Sequence, residues 1–177
     1  MKLQRIVLVA LLGLCLVGGL AFGKELHVGI GTEPWDLDPA IRTDQASGYI
    51  IENVYDPIIE LDENREVTTK YSVTKDYEWK NDKATLILHL REGVKFHDGS
   101  DLTARDVKYN IEWQLNDENN APNKGLLGPI ENVEVVDDYT LRTDFENSFP
   151  QALMRWSRAL DGIVPEGAHG ERSEEKG

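Results

Sequence analysis

Basic residues and cysteine are both in short supply in this chain. It carries 19 Lys and Arg against 32 Asp and Glu, for a formal net charge of −13. That balance argues against nucleic acid or an anionic membrane surface as partner, since either requires an excess of cations. Cysteine occurs once, at Cys15, so no intrachain disulfide can staple the fold and a packed core must carry it. The sequence has no Gly-x-Ser-x-Gly elbow and no His-Glu-x-x-His pair, which removes two common hydrolase arrangements. A carboxylate pair of the glycosidase type is the enzymatic option left, but the acidic residues fall in turns, caps and solvated faces and no two stand out. No internal repeat is present. His89, His97 and His169 are too scattered to build a compact metal site, and His27 stands alone on a separate segment. No metal or cofactor is therefore expected.

The one long apolar run, Ile6 to Leu20, is shorter than the ~20 residues that span a bilayer comfortably. Lys2 and Arg5 precede it, and Ala21-Phe22-Gly23 follows with small residues at −3 and −1. That is the layout of a signal peptide over residues 1–23, cleaved before Lys24. A retained anchor is the alternative. Lipidation at Cys15 is a third option, to which Leu14 is a poor fit. Export places the chain in the periplasm or otherwise outside the cytoplasmic membrane. Loss of Lys2 and Arg5 takes the net charge to −15 and removes the cysteine. The roughly 150 residues that remain are enough for one domain. An acidic surface favours cationic ligands, or serves solubility alone.

Periodicity then predicts the elements. Leu26, Val28 and Ile30 alternate along a first strand over Glu25–Ile30. Ile50, Val54 and Ile58 recur at four-residue spacing and Ile51 pairs with Tyr55, predicting a helix over Gln45–Tyr55 that packs an apolar stripe and that Pro57 ends. Leu86, Leu88 and Leu90 give a strand over Ala84–Arg91, and Asp98-Gly99 supplies a turn. Thr103 and Asp106 form a capping-box pair before a helix whose stripe is Val107, Ile111 and Leu115. Val133–Val136 and Thr140–Phe145 flank Asp137-Asp138-Tyr139 as a hairpin, and a last helix runs from about Pro150 to Leu160. Residues 166–177 are polar and charged, a tail expected to be disordered.

Leu90, Arg91, Gly93, Val94, Lys95, Phe96, His97, Asp98, Gly99, Thr103, Ala104, Asp106 and Val107 form a dense motif. It closely resembles extracytoplasmic solute-binding proteins of family 5, the oligopeptide-, dipeptide- and nickel-binding subunits of ABC importers. The segments Gly31–Ala40 and Val133–Leu141 resemble the same family. The resemblance covers residues 24–165 as an N-terminal family-5 domain and stops where the family continues into a second lobe, so the chain looks truncated.

The resemblance implies an α/β fold, a mixed sheet with flanking helices, as the N-terminal portion of a periplasmic-binding-protein-like (type II) lobe. It implies capture of a peptide or similar small solute, with no covalent chemistry. The partners it implies are the ABC transporter permease and a C-terminal lobe encoded separately or fused. A non-functional remnant or half of a split gene is the alternative. The family places Thr43, Asp44 and Gln45 against ligand, although Asp44 could equally cap the helix beginning at Gln45. It also places the loop Asn116–Gly128 there, with Asn123 and Lys124 as polar candidates where relatives carry an aromatic. The four tryptophans could stack on a ligand or serve as core.

Overall fold

The computed structural model describes residues 26–169, so the expected signal peptide and Cys15 lie outside the described residues. The chain divides at Gly31. Before it, Leu26–Ile30 carries no strand, contrary to the alternation of its side chains. A strand is stabilised by a hydrogen-bonded neighbour, and neither sheet includes this segment.

From Gly31 on, helix α1 (Gln45–Val54) leads into a small antiparallel pair, β1 (Glu60–Leu61) and β2 (Val67–Thr68). The principal sheet contains β3 (Thr74–Lys80), β4 (Thr85–Leu90), β5 (Ile130–Asp137) and β6 (Thr140–Phe145) in the order β3-β4-β6-β5. Helix α2 (Ala104–Leu115) and a single turn, α3 (Lys124–Leu127), lie between β4 and β5, and α4 (Ala152–Ala159) follows β6. The fold is α/β with flanking helices, as expected. Its pairings among the described residues are all antiparallel, where a mixed sheet was expected. The β3–β4 and β5–β6 connections are too short for the crossover that a parallel pair needs.

Register explains the core. Tyr77, Leu88, Leu141 and Val135 pair in one row across four strands, and Trp79, Leu86, Thr143 and Val133 in the next. Directly paired residues share a face, so this face is apolar. Val107 and Ile111 of α2 and Trp156 of α4 belong to the same buried cluster, each fully inaccessible. Trp156 keeps its one polar atom satisfied by donating Nε1–H to the Leu127 carbonyl at 3.0 Å. Intervening residues make the opposite, polar face, where His89 meets Glu78 at 3.2 Å. The leucine alternation in β4 and the stripe of α2 stand as the sequence predicts. The Thr103–Asp106 capping box is also formed, with the Thr103 N–H donating to Asp106 Oδ2 at 2.8 Å.

Two further expectations hold only in part. In α1 the buried residues are Ala46, Ser47, Gly48 and Ile51, whereas Val54 is exposed. Ile51 and, beyond the helix, Ile58 are buried as their spacing predicts, and the rest of the face is made of small residues that pack closely, with Ser47 Oγ accepting the Trp35 N–H at 3.0 Å. The expected disordered tail begins with residues that are held in place. Glu166 N–H donates to Asp106 Oδ1 at 3.0 Å. His169 is buried between the rings of Tyr109 and Trp113, with Nδ1 3.1 Å from the Asp38 carboxylate and Nε2 3.2 Å from Asn110 Oδ1. Asn110 in turn donates to the Val164 carbonyl at 2.7 Å. A buried imidazole with a partner on each nitrogen offsets the cost of ordering a polar segment. Residues 170–177 lie outside the described residues.

The cap is a direct test of this local reading. Thr103→Ala is expected to lower unfolding free energy by about 1 kcal/mol in urea titrations followed by tryptophan fluorescence. An unchanged midpoint would mean that the cap contributes nothing.

Candidate functional site

The site begins with a chain that must turn from Gly31 into α1. Asp36 and Asp38 each fold back on the backbone, Asp36 Oδ1 accepting from Asp38 N–H at 2.8 Å and Asp38 Oδ1 from Ala40 N–H at 2.9 Å. Such Asx turns fix a loop without regular structure. They deliver Arg42, Thr43 and Asp44 to the start of α1. Asp44 caps the helix, its Oδ1 accepting the Ser47 N–H at 2.9 Å. The hydroxyl and backbone N–H of Ser47 together hold the Asp44 carboxyl below the usual aspartate range.

Arg42 then reaches across the fold. Its guanidinium pairs with Asp161, with both side chains largely buried. Two glycines permit this. A β-carbon on Gly48 would lie 2.5 Å from Arg42 Nη1, and one on Gly162 would lie 2.8 Å from Pro39 Cβ and 2.9 Å from Tyr55 Cβ. Neither position tolerates a side chain without movement of its neighbours. The segment after α4 is held beside α1 by two further bonds, Ile58 N–H to the Leu160 carbonyl at 3.0 Å and Ile163 N–H to the Asp56 carbonyl at 3.2 Å.

These contacts surround an open cleft of about 800 Å³. Its walls are the loop Arg42–Gln45, the outer face of α1, Glu60 and Leu61 of β1, and Ser157, Arg158 and Asp161 at the end of α4. Thr43, Asp44 and Gln45 thus share one cavity. Asn123 and Lys124 do not line it. Asn123 donates to the Arg42 carbonyl at 3.2 Å, and Lys124 donates to the Leu115 carbonyl at 2.5 Å and to Asp117 at 2.7 Å. Lys124 therefore closes the end of α2. The expected ligand-facing loop Asn116–Gly128 is largely built into this support, through a 3-10 turn at Asp117–Asn119 and the single turn α3.

Burial pushes the Asp161 carboxyl above its usual range, opposed by Arg42 and reinforced by the charge of Glu52. Asp161, Glu52, Tyr49 and Glu60 are site residues that sequence reading missed. Asp161 lies 119 residues from Arg42, and no local pattern marks such a pair. Among the described residues no group of three or more His, Cys, Asp and Glu is placed to hold a metal, and no helix is long and apolar enough to cross a membrane.

Residues 68–176 match the family described as bacterial extracellular solute-binding proteins, family 5 Middle. The glutathione-binding protein GsiB of Salmonella paratyphi A is 31% identical over 160 residues, covering 81% of this chain and 31% of the relative. The chain thus spans about a third of the length of the curated relatives it matches. Among solved structures, Haemophilus influenzae OppA in complex with RPPGFSPFR superposes with a TM-score of 0.69 at 21% identity, covering 76% of this chain and 29% of that one. Campylobacter jejuni NikZ in complex with Ni(L-His) superposes with a TM-score of 0.67 at 24% identity, covering 78% and 27%.

The position of Asp44 in this site fixes a pH response. A carboxyl held below its unfolded range contributes stability that is present above about pH 4 and lost as pH falls through its folded value. Asp44→Asn keeps the cap but not the charge. Its urea midpoint is expected to fall less than that of the parent between about pH 5 and pH 3. Parallel acid limbs would contradict this assignment.

Proposed function

Because the chain belongs to the bacterial extracellular solute-binding proteins of family 5, we propose that it contributes one wall of a solute-binding site serving an ABC importer. A peptide or similar small solute is the ligand this reading favours. The supporting observation is the open cleft that gathers Thr43, Asp44 and Gln45. Thr43 offers a hydroxyl and Gln45 an amide, and Asp44 fixes their position by capping the helix. Asn123 and Lys124 act in this proposal as supports, Asn123 by holding the Arg42 carbonyl. Capture takes place outside the cytoplasmic membrane after export, and delivery is to the permease. The proposed domain is residues 24–165, extended by the contacts of Glu166 and His169.

Binding of this kind needs no bond-making chemistry. It needs burial of the ligand between two surfaces, which solute-binding folds achieve by closing about a hinge. One open wall leaves much of the ligand wet and supplies half of the contacts. A second lobe, fused or separately encoded, is the partner that would complete the enclosure.

The purified chain is expected to bind a neutral peptide such as trialanine with a Kd of about 1 mM or weaker. The readout is saturable amide shifts at Thr43, Asp44 and Gln45 in ¹⁵N-correlated NMR spectra. The absence of any saturable shift there would overturn the site. Micromolar binding by isothermal titration would overturn the need for a second wall.

A further inference from the structure

His169 lies outside the cleft, where the loop ahead of α1, helix α2 and the segment after α4 meet. Its side chain is 1% exposed, with ring centroids 5.4 Å from Tyr109 and 4.4 Å from Trp113. Nδ1 faces both carboxylate oxygens of Asp38 at 3.1 Å, and Nε2 faces Asn110 Oδ1 at 3.2 Å. A neutral imidazole has one donor nitrogen and one acceptor, whereas an imidazolium has two donors. Which form these surroundings accept depends on whether either partner can donate.

Neither can. Asn110 is fixed by backbone partners. Its Nδ2 donates to the Asp106 and Val164 carbonyls at 2.8 and 2.7 Å, and its Oδ1 accepts the Val164 N–H at 3.2 Å. Turning this amide over would face its oxygen with two carbonyls and its nitrogen with an N–H. Oδ1 is therefore an acceptor toward the ring. Asp38 Oδ1 also accepts the Ala40 N–H at 2.9 Å. A carboxyl is a stronger acid than an imidazolium, so the proton between Asp38 and His169 resides on nitrogen. The aromatic faces beside the ring favour a cation as well. Among the described residues, the other ionisable groups joined to this cluster by hydrogen bonds or charge are acids. They are Asp36 in the same loop, Asp106 and Tyr109 on α2, Glu166 in the segment after α4, and Tyr55 beyond α1. Burial and the charges of Asp38 and Asp36 push the Tyr55 phenol up.

We infer that His169 is held as an imidazolium, a cationic clasp that ties the loop ahead of α1 to α2 and to the segment after α4. It is a positioning residue, acting through Asp38, whose turn onto Ala40 and Ile41 leads directly into Arg42–Gln45. The clasp is complete only with both ring protons in place. As pH rises through the histidine range, roughly pH 5 to 8, loss of one proton sets two acceptors face to face, at Asp38 or at Asn110. Asn110 cannot turn to compensate without giving up its backbone bonds. The loop then loses a charge-assisted tie, and the cleft wall it delivers loosens. This response does not depend on which solute the cleft takes.

The test uses the full chain labelled with ¹⁵N. At about pH 5.5 the His169 ring is expected to show slowly exchanging N–H resonances on both nitrogens, assigned through contacts to the Tyr109 and Trp113 rings. Hydrogen exchange at the Ala40 and Ile41 amides, corrected for the intrinsic rate, is expected to lose roughly tenfold in protection between about pH 5.5 and about pH 8. Asp38→Asn supplies the comparison. Its amide oxygen keeps the acceptor for Ala40 while its nitrogen can donate to a neutral ring, so the pH dependence is expected to vanish. A ring N–H on only one nitrogen at about pH 5.5 would overturn the inference. Protection at Ala40 and Ile41 that stays flat in the parent, or falls equally in Asp38→Asn, would overturn it too.

Discussion

The Arg42–Asp161 ion pair is the contact on which the candidate site depends. It joins a loop that has no regular structure to the segment after α4, across 119 residues of chain. Burial raises the Asp161 carboxyl, with Arg42 opposing, so the pair occupies an environment in which neither charge would stand alone. Such pairs add little net stability, but removal of one partner is costly because the other is left buried and unpaired. The contribution to this molecule is geometric. Arg42 also offers its carbonyl to Asn123, so one residue ties the entry loop, the support around α3 and the end of α4 into a single wall.

The sheet supplies the frame against which that wall is fixed. Its rows of paired side chains give one apolar face, covered by α2 and α4, and one polar face. Trp156 joins α4 to the core, and the turn after that helix is pinned by the backbone bonds at Ile58 and Ile163. Asp161 lies within that pinned stretch. Rigid packing below it positions a carboxylate above it. The close approaches at Gly48 and Gly162 allow the wall to form without displacing the helices.

What the sequence disclosed follows from how local each feature is. The strand β4, the capping box, the β5–β6 hairpin and the stripe of α2 are written in spacings of two to four residues, and all are present. The buried face of α1 was legible only at Ile51, because the rest of it consists of Ala46, Ser47 and Gly48, whose packing value comes from small size and from one serine hydroxyl. Leu26–Ile30 alternates like a strand, but alternation supplies no hydrogen-bonding neighbour. His169 looked like part of a solvated tail because its partners, Asp38 and Asn110, are 131 and 59 residues away. Family resemblance pointed to Thr43–Gln45, and these three residues line the cleft. It did not point to Glu60 and Asp161, since only the folded chain brings them to the same cavity.

A double-mutant cycle on Arg42→Met and Asp161→Asn, measured by urea unfolding, tests most directly whether this ion pair organises the wall. The account predicts a coupling energy on the order of 1–3 kcal/mol, with the double variant more stable than the sum of the single losses implies. Additivity to within about 0.3 kcal/mol would show that the two residues act independently, and would contradict it.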